Sequence, residues 1–260
     1  MIIFLIYFAV ILFATTVGAL SGMGGGVIIK PVLDAVGAHA LNSVNFYSSV
    51  SIFVMSIVSV IKQVRGGMLV SINSIFGIAV GSIVGGSLGN ILFNYLLTFF
   101  SNQSSVQMVQ IVITVILLAL VLLYLRFEIR PLNLKNRIWP FAVGLFLGAV
   151  STLLGIGGGP INVAMFIFVF GIPMKKAMVY ALTAKFFAHF ANLLTVFFNE
   201  GFTHYELNFL WAIVPAAILG GYLGSQLNQK STNKKVNLYY RLVTLGVIIL
   251  NIANAIGLIF

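Results

Sequence analysis

The 260-residue chain contains no cysteine and only four acidic residues. Without cysteine, the protein has no disulfide, no thiol nucleophile and no thiolate ligand for a metal. Four carboxylates are too few for the acid–base pairs of many enzymes, and no catalytic or nucleotide-binding motif is present. Charged residues make up 7% of the chain, against roughly a quarter in a soluble domain. We therefore expect no enzyme, no cofactor and no metal site.

Hydrophobic residues fill the composition instead, at 60% of the chain, and the mean hydropathy is +1.12. Such a chain cannot cover a water-facing surface, so the sequence predicts an integral membrane protein. The net charge of +10 then indicates membrane topology rather than nucleic-acid binding, because basic residues collect in cytoplasmic loops. No basic residue precedes the first apolar run, which favours a first membrane helix over a cleaved signal peptide.

Apolar segments of the roughly 20 residues that a membrane helix needs occur four times in each half of the chain. We predict spans at 2–21, 42–61, 70–98, 106–126, 138–154, 177–198, 207–228 and 237–260. Two other apolar pieces, 27–36 and 160–170, are too short to cross comfortably. A polar hinge at 127–137, predicted to be cytoplasmic, separates membrane repeat one (1–126) from membrane repeat two (138–260).

Each short piece follows a glycine-rich block, and the two blocks are copies of each other. The first glycine block is Gly22-Met23-Gly24-Gly25-Gly26, and the second, 133 residues later, is Gly155-Ile156-Gly157-Gly158-Gly159. Other glycines recur in the same order at nearly the same spacing: Gly37 with Gly171, Gly67 with Gly201, and 85–89 with 220–224. The sequence therefore contains an internal repeat.

Basic residues alternate between corresponding loops of the two repeats. The loop of Lys62 and Arg65 corresponds to 199–204, which has no Lys or Arg, whereas the uncharged 101–107 corresponds to 229–235 with three lysines. Because basic loops stay in the cytoplasm, this pattern predicts that the repeats insert in opposite directions.

We therefore predict an all-α integral membrane fold of two inverted-topology repeats with about five helical segments each. Both termini would lie outside, and each short piece would count as a crossing, as part of a broken helix. If the short pieces were re-entrant hairpins, each repeat would cross four times and the charge pattern would be unexplained.

The glycine blocks also predict a binding site. A helix that starts after a glycine break presents unpaired N–H groups and a partial positive charge, which together attract anions. Two such starts near the membrane midplane would hold a small oxyanion between them. The alternative, close helix packing, is the one we favour for the glycines of 85–89 and 220–224. The predicted substrate-binding glycines are Gly24, Gly25, Gly26, Gly157, Gly158 and Gly159.

Both halves resemble the TauE/SafE sulfite exporter family of membrane anion permeases. The resemblance rests on the twin Gly-x-Gly-Gly-Gly blocks, on Pro31 five residues after the first block, and on Gly171-Ile172-Pro173 followed by Ala177 and Thr183. The second block departs from the pattern, with Pro160 directly after it and Ala164 at the later proline position, and Ala184 replaces a usual serine. The resemblance implies transport of sulfite, organosulfonates or related sulfur oxyanions in a bacterial plasma membrane.

Polar side chains inside the apolar segments are the remaining candidates, because membrane interiors tolerate few of them. Lys185 lies about 12 Å into its span, and His189 and Asn192 share its helix face. The matching helix of repeat one carries serines instead, including Ser48 and Ser49. We predict that Ser48, Ser49, Thr183, Lys185 and Asn192 bind substrate. The alternative is that Lys185 pairs with a carboxylate to assemble the helices.

Lys30 and Asp34, four residues apart, are predicted to pair with each other. If they do not, Asp34 could couple transport to protons, and His189 is the second candidate for that role. His39 and His204 lie near predicted helix ends, where we expect solvated rings.

The sequence thus predicts a secondary transporter that works by alternating access, one repeat rocking against the other with substrate between them. Its partners would be a small anionic substrate and the lipid bilayer, with no nucleic acid. Export of an anion from a negative-inside cell needs no coupled ion, whereas uptake would need a proton or another ion. An anion channel and a non-transporting membrane scaffold or assembly factor are the alternatives, and a homo-oligomer is left open.

Overall fold

The computed structural model describes residues 2–68, 71–100, 102–127, 129–199, 201–202 and 204–259, which contain ten α-helices and no strand. The first half forms α1 (Ile2–Ser21), α2 (Gly26–Val36), α3 (Leu41–Arg65), α4 (Ile72–Phe99) and α5 (Gln103–Phe127). The second half forms α6 (Ile138–Leu153), α7 (Gly159–Phe170), α8 (Met174–Asn199), α9 (Leu210–Lys230) and α10 (Asn233–Ile259), with a 3-10 turn at Leu207–Phe209 before α9. The predicted span boundaries at 70 and 260 lie outside the described residues.

The all-helical membrane fold is confirmed. Seven of the helices in the described ranges are long and apolar enough to cross a membrane. Large apolar side chains cover the outside of the bundle, among them Ile72 and Trp211, which are 82% and 80% exposed. Helices suit this environment because lipid offers no hydrogen-bond partner to the backbone. The protein is a multi-pass integral membrane protein.

The longer helices extend further than predicted at their basic ends. Lys62 and Arg65 lie in the last turn of α3, and Lys230 ends α9, so placing these residues in loops was wrong. A basic side chain at a helix C-terminus interacts favourably with the terminal carbonyl groups, which lets the helix continue through it. The Lys62 ammonium also lies 4.3 Å from the ring centre of Tyr222.

Helices α1 and α3 run in the same direction. The rings of Tyr7 and Tyr47, near the starts of the two helices, are 6.0 Å apart. Near their other ends, Asn228 donates to the Leu20 carbonyl oxygen (2.6 Å) and accepts from Gln63 (3.0 Å). The short helix α2 must therefore run back between them.

The end of α2 confirms this reversal. His39, just after α2, forms a 2.7 Å hydrogen bond between its Nδ1 and the Tyr7 hydroxyl. Its side chain is only 9% exposed and its ring contacts Phe209, so the prediction of a solvated ring at His39 was wrong, whereas His204 is exposed. With 11 residues, α2 is about 16 Å long, too short to cross a bilayer core of about 30 Å.

The second half repeats this arrangement. Pro140 and Tyr180, near the starts of α6 and α8, line one cavity, whereas Thr152 and Asn192, further along the same helices, line another. Helices α6 and α8 are therefore parallel, with the 12-residue α7 running back between them. After α7 reverses, its end meets the hinge, where Leu132 N–H donates to the Phe168 carbonyl oxygen (2.8 Å).

Helices at the same place in the two halves run in opposite directions. Asn192 on α8 donates to the Ser49 hydroxyl on α3 (3.0 Å), and the Phe53 and Phe186 rings stack 5.3 Å apart. Ser49 precedes Phe53, whereas Asn192 follows Phe186, so α3 and α8 are antiparallel.

Glycines allow the fourth helix of each half to pack directly against the first helix of the other half, α4 against α6 and α9 against α1. A Cβ atom placed on Gly85 of α4 would lie 2.0 Å from the Leu145 carbonyl oxygen of α6. One placed on Gly224 of α9 would lie 2.1 Å from the Thr16 carbonyl oxygen of α1. These backbones touch because glycine has no side chain, which is the packing role that the sequence predicts for them.

Candidate functional site between the glycine blocks

The glycine blocks interrupt the helices through backbone conformations that other residues rarely adopt. Gly22 and Gly24 have φ angles of 72° and 78°, and their counterparts Gly155 and Gly157 have 65° and 67°. These left-handed conformations end one helix and allow a new one to begin in another direction. The helix break that the sequence predicts at each glycine block is therefore present in both halves.

The two new helices start against each other. A Cβ atom on Gly26 would lie 2.6 Å from the Ile156 carbonyl oxygen, and one on Gly159 would lie 2.0 Å from Cγ1 of Val27. From this contact, α2 runs toward Tyr7 and α7 runs toward the hinge. Neither helix has a side-chain cap at its N-terminus. The positive ends of two helix dipoles therefore converge between the blocks.

Lys185 connects the two blocks from α8. It is fully buried, and its Nζ donates to the carbonyl oxygens of Gly22 (3.2 Å), Met23 and Gly159 (3.5 Å). In the part of the chain that the structure describes, no carboxylate forms an ion pair with it. Among the described residues, the hydrogen-bond partners of the buried Lys185 Nζ are therefore all backbone carbonyl groups.

The rest of the predicted polar face of α8 also points inward. His189 is fully buried beside Gly157, with 3.3 Å between Nε2 and a Cβ atom placed on that glycine. Within the described residues, neither ring nitrogen of His189 has a hydrogen-bond partner. Asn192, 7% exposed, reaches across to Ser49. These groups share the interior face that the helix periodicity predicts.

Among the remaining residues predicted to bind substrate, some contact a glycine block and others bond elsewhere. Ser48 donates to the Gly155 carbonyl oxygen (2.8 Å) and so ties α3 to the second block. Thr183 donates instead to the Val179 carbonyl oxygen of its own helix (2.9 Å). A Cβ atom on Gly25 would lie 2.9 Å from the Thr15 side chain, so Gly25 allows close packing.

Lys30 and Asp34 form the predicted ion pair. The Nζ to Oδ2 distance is 2.9 Å, and the two side chains are 4% and 6% exposed. Lys30 Cδ lies 3.1 Å from a Cβ atom placed on Gly155, so a second buried lysine reaches the second block. The two lysines differ in their neutralisation, since Asp34 neutralises only Lys30.

Sequence reasoning missed two cavities. One, which we call the amide cavity, has a volume of about 20 Å³ and is lined by several asparagines from α3, α4 and α8. The spacing of Asn42, Asn45 and Ser49, at i, i+3 and i+7, was the available signal. The other, the basic cavity, has a volume of about 400 Å³ and includes Lys135 and Lys176 in its lining.

A helical membrane protein in which broken helices from two halves meet around a buried cation has the architecture of a membrane transporter. The sulfite exporter TauE/SafE family model matches residues 7–253, and the chain belongs to this family. It is 26% identical over 268 aligned positions to "Probable membrane transporter protein YunE" of Bacillus subtilis (strain 168), covering 89% of this chain and 91% of that protein. No solved structure matches the chain significantly.

Proposed function

We propose that this protein is a secondary permease that moves a small sulfur oxyanion, such as sulfite or an organosulfonate, across the membrane by alternating access. The observation that carries the proposal is Lys185, which is fully buried, lacks a carboxylate partner among the described residues and contacts both glycine blocks. A buried charge without a counterion is costly, and an anion is the ligand that removes this cost. Family membership and the relative's description as a probable membrane transporter also support transport.

The anion would bind where α2 and α7 begin. Their first-turn N–H groups are donors without side-chain caps, and Lys185 adds a positive charge. The ammonium can exchange its longest contact, 3.5 Å to the Gly159 carbonyl oxygen, for an anion oxygen. Ser48 and Asn192 would fix the surrounding helices, since both make hydrogen bonds between the halves.

An inverted repeat supports the alternating-access part of the proposal. The antiparallel course of α3 and α8 and the opposite directions of α2 and α7 fit two repeats that insert in opposite directions. Lys175 donates to the Gln229 carbonyl oxygen (3.5 Å), and Gln229 donates to the Lys62 carbonyl oxygen (2.7 Å), which gathers basic residues at one end. That end would face the cytoplasm, and both termini would lie outside.

Thermal unfolding of the purified protein with sulfite, sulfate, thiosulfate, sulfonates and carboxylates tests the binding site. We expect the melting temperature to rise with at least one sulfur oxyanion, and we expect Lys185→Met to abolish this rise. Lys62→Met, which removes a lysine at the end of α3, is the matched control and should keep it. A rise that survives Lys185→Met would refute this site.

Counterflow in proteoliposomes tests the mechanism. A carrier should take up labelled substrate faster when unlabelled substrate is present on the other side. Unitary currents, or an uptake rate that does not depend on substrate on the other side of the membrane, would instead identify an anion channel.

A further inference from the structure

The amide cavity lies between the two halves of the chain, and its lining in the described residues contains no charged side chain. Its walls come from α3, α4, α6 and α8, so both halves build it. Within the part of the chain that the structure describes, its lining includes no Lys, Arg, His, Asp or Glu. The polar side chains that line it carry amide or hydroxyl groups and are Asn42, Asn45, Ser49, Asn90, Asn94, Thr152, Asn192 and Tyr205.

Several of these side chains have buried atoms without a hydrogen-bond partner among the described residues. They are Oδ1 of Asn42, both amide atoms of Asn45, Nδ2 of Asn90 and Oδ1 of Asn192. Asn45 is 8% exposed and Asn192 is 7% exposed. A buried amide without a partner costs roughly 1–3 kcal/mol. Several such groups around one cavity indicate a ligand that satisfies them together.

We infer that the amide cavity binds a dehydrated monovalent cation and that sodium is the ion that fits. Side-chain oxygens of Asn42, Asn45, Ser49 and Asn192 supply the hard ligands that such an ion prefers. The volume of about 20 Å³ holds one small ion and excludes a sulfonate. A divalent ion would need carboxylates, which this lining lacks.

The end of α6 adds a second favourable feature. Thr152 lines the cavity and lies in the last turn of α6, where the helix dipole places its partial negative charge. The anion site between the glycine blocks has the opposite polarity, with two helix N-termini and Lys185. Cations in membrane transporters are commonly held by such helix C-terminal ends and by carbonyl oxygens.

The cavity is in direct contact with the second glycine block. A Cβ atom on Gly155 would lie 2.2 Å from Oδ1 of Asn45, and Asn192 belongs to the same face of α8 as Lys185. A cation at Asn45 would therefore lie beside the backbone that forms the anion site. If the proposed function holds, sodium would bind together with the anion and drive its uptake.

Sodium binding can be measured without any substrate. We expect the melting temperature of the purified protein to rise with NaCl and with sodium gluconate, but not with KCl or choline chloride at equal ionic strength. Equal shifts with all chloride salts, or no shift with sodium gluconate, would overturn the inference and indicate chloride or plain water in the cavity.

Substitutions at Asn45 test whether the ion binds in the amide cavity. Asn45→Ala removes no hydrogen bond within the described residues, because neither amide atom of Asn45 has a partner there, and it should abolish the sodium-dependent rise. Asn45→Asp keeps the shape, adds a negative charge and should lower the sodium dissociation constant at least tenfold. Asn237→Ala is the matched control, because Asn237 also has a buried Oδ1 without a partner but lies on α10 outside this lining.

Loss of the sodium response in Asn237→Ala, or its survival in Asn45→Ala, would refute the site. The test is separate from that of the proposed function. A protein that responds to sodium but to no anion would retain the cation site and lose the permease proposal.

Discussion

The two glycine blocks resemble each other in sequence, but they differ in conformation and in their lysine contacts. The first block returns to helical angles at Gly25, with φ −69° and ψ −23°, whereas the second stays left-handed through Gly158 and Gly159. Lys185, which has no carboxylate partner in the described residues, donates to Gly22 and Met23 of the first block and to Gly159 of the second. Lys30, whose charge Asp34 neutralises, reaches Gly155 of the second block. The helix breaks are thus present in both halves, whereas the charges around them differ.

The largest effect on transport is expected from removing the lysine that has no carboxylate partner. Lys185→Met keeps the length of the side chain and removes the charge, so anion uptake into proteoliposomes should fall by about 100-fold or more, equivalent to about 2.7 kcal/mol. The melting temperature should stay the same or rise, because a buried uncompensated charge is lost. Normal uptake by this variant would show that Lys185 does not bind the transported anion.

Removing the partner of the neutralised Lys30 should instead destabilise the protein. Asp34→Asn leaves the Lys30 charge buried and alone, so the free energy of unfolding should fall by about 3–5 kcal/mol. The double variant Lys30→Met/Asp34→Leu removes both charges and should recover most of this loss. The sequence suggests proton coupling at Asp34 only if the two residues do not pair. Uptake by the double variant at several pH values tests that role, which requires the pH dependence of uptake to change.

The glycine facing Lys185 provides a smaller and more local test. Gly24→Ala places a methyl group 3.1 Å from Lys185 Nζ at a φ of 78°. Gly67→Ala is the matched control, because Gly67 has a φ of 87° and nothing within 4 Å of the added atom. Both substitutions should cost about 1–2 kcal/mol in stability through backbone strain. Only Gly24→Ala should also lower the apparent affinity for the anion, and an equal loss in Gly67→Ala would contradict this.

The smallest effect is expected at the serine that holds the second block. Ser48→Ala removes the hydrogen bond to the Gly155 carbonyl oxygen (2.8 Å) and should lower the free energy of unfolding by about 1 kcal/mol. Ser51→Ala is the control, because Ser51 is buried on the same helix but bonds to the Tyr47 carbonyl oxygen of its own helix (2.7 Å). Similar melting temperatures for the two variants would show that Ser48 does not tie the halves together.

The sequence predicts the features that a short stretch of the chain determines by itself. Apolar length locates the helices, and runs of glycine locate the breaks, because both signals act within about 20 residues. The pairing of Lys30 with Asp34 follows from helix periodicity alone. Family membership was likewise visible in the twin blocks.

The features that the sequence does not predict depend on contacts between distant segments. His39 is packed because α2 folds back along α1 and brings it to Tyr7, which no local pattern indicates. The approach of Lys30 to Gly155 and the closure of the amide cavity around Asn45 likewise require the two halves to come together.

The glycine contacts between α4 and α6, and between α1 and α9, determine which helices can move as one body. Backbones in direct contact, as at Gly85 and Gly224, have no side chains between them that could rearrange during sliding. A movement of the whole first half against the whole second half would have to separate both contacts. For the proposed alternating-access mechanism, this packing predicts moving parts that each contain helices from both halves, instead of the rocking of one repeat against the other that the sequence suggests.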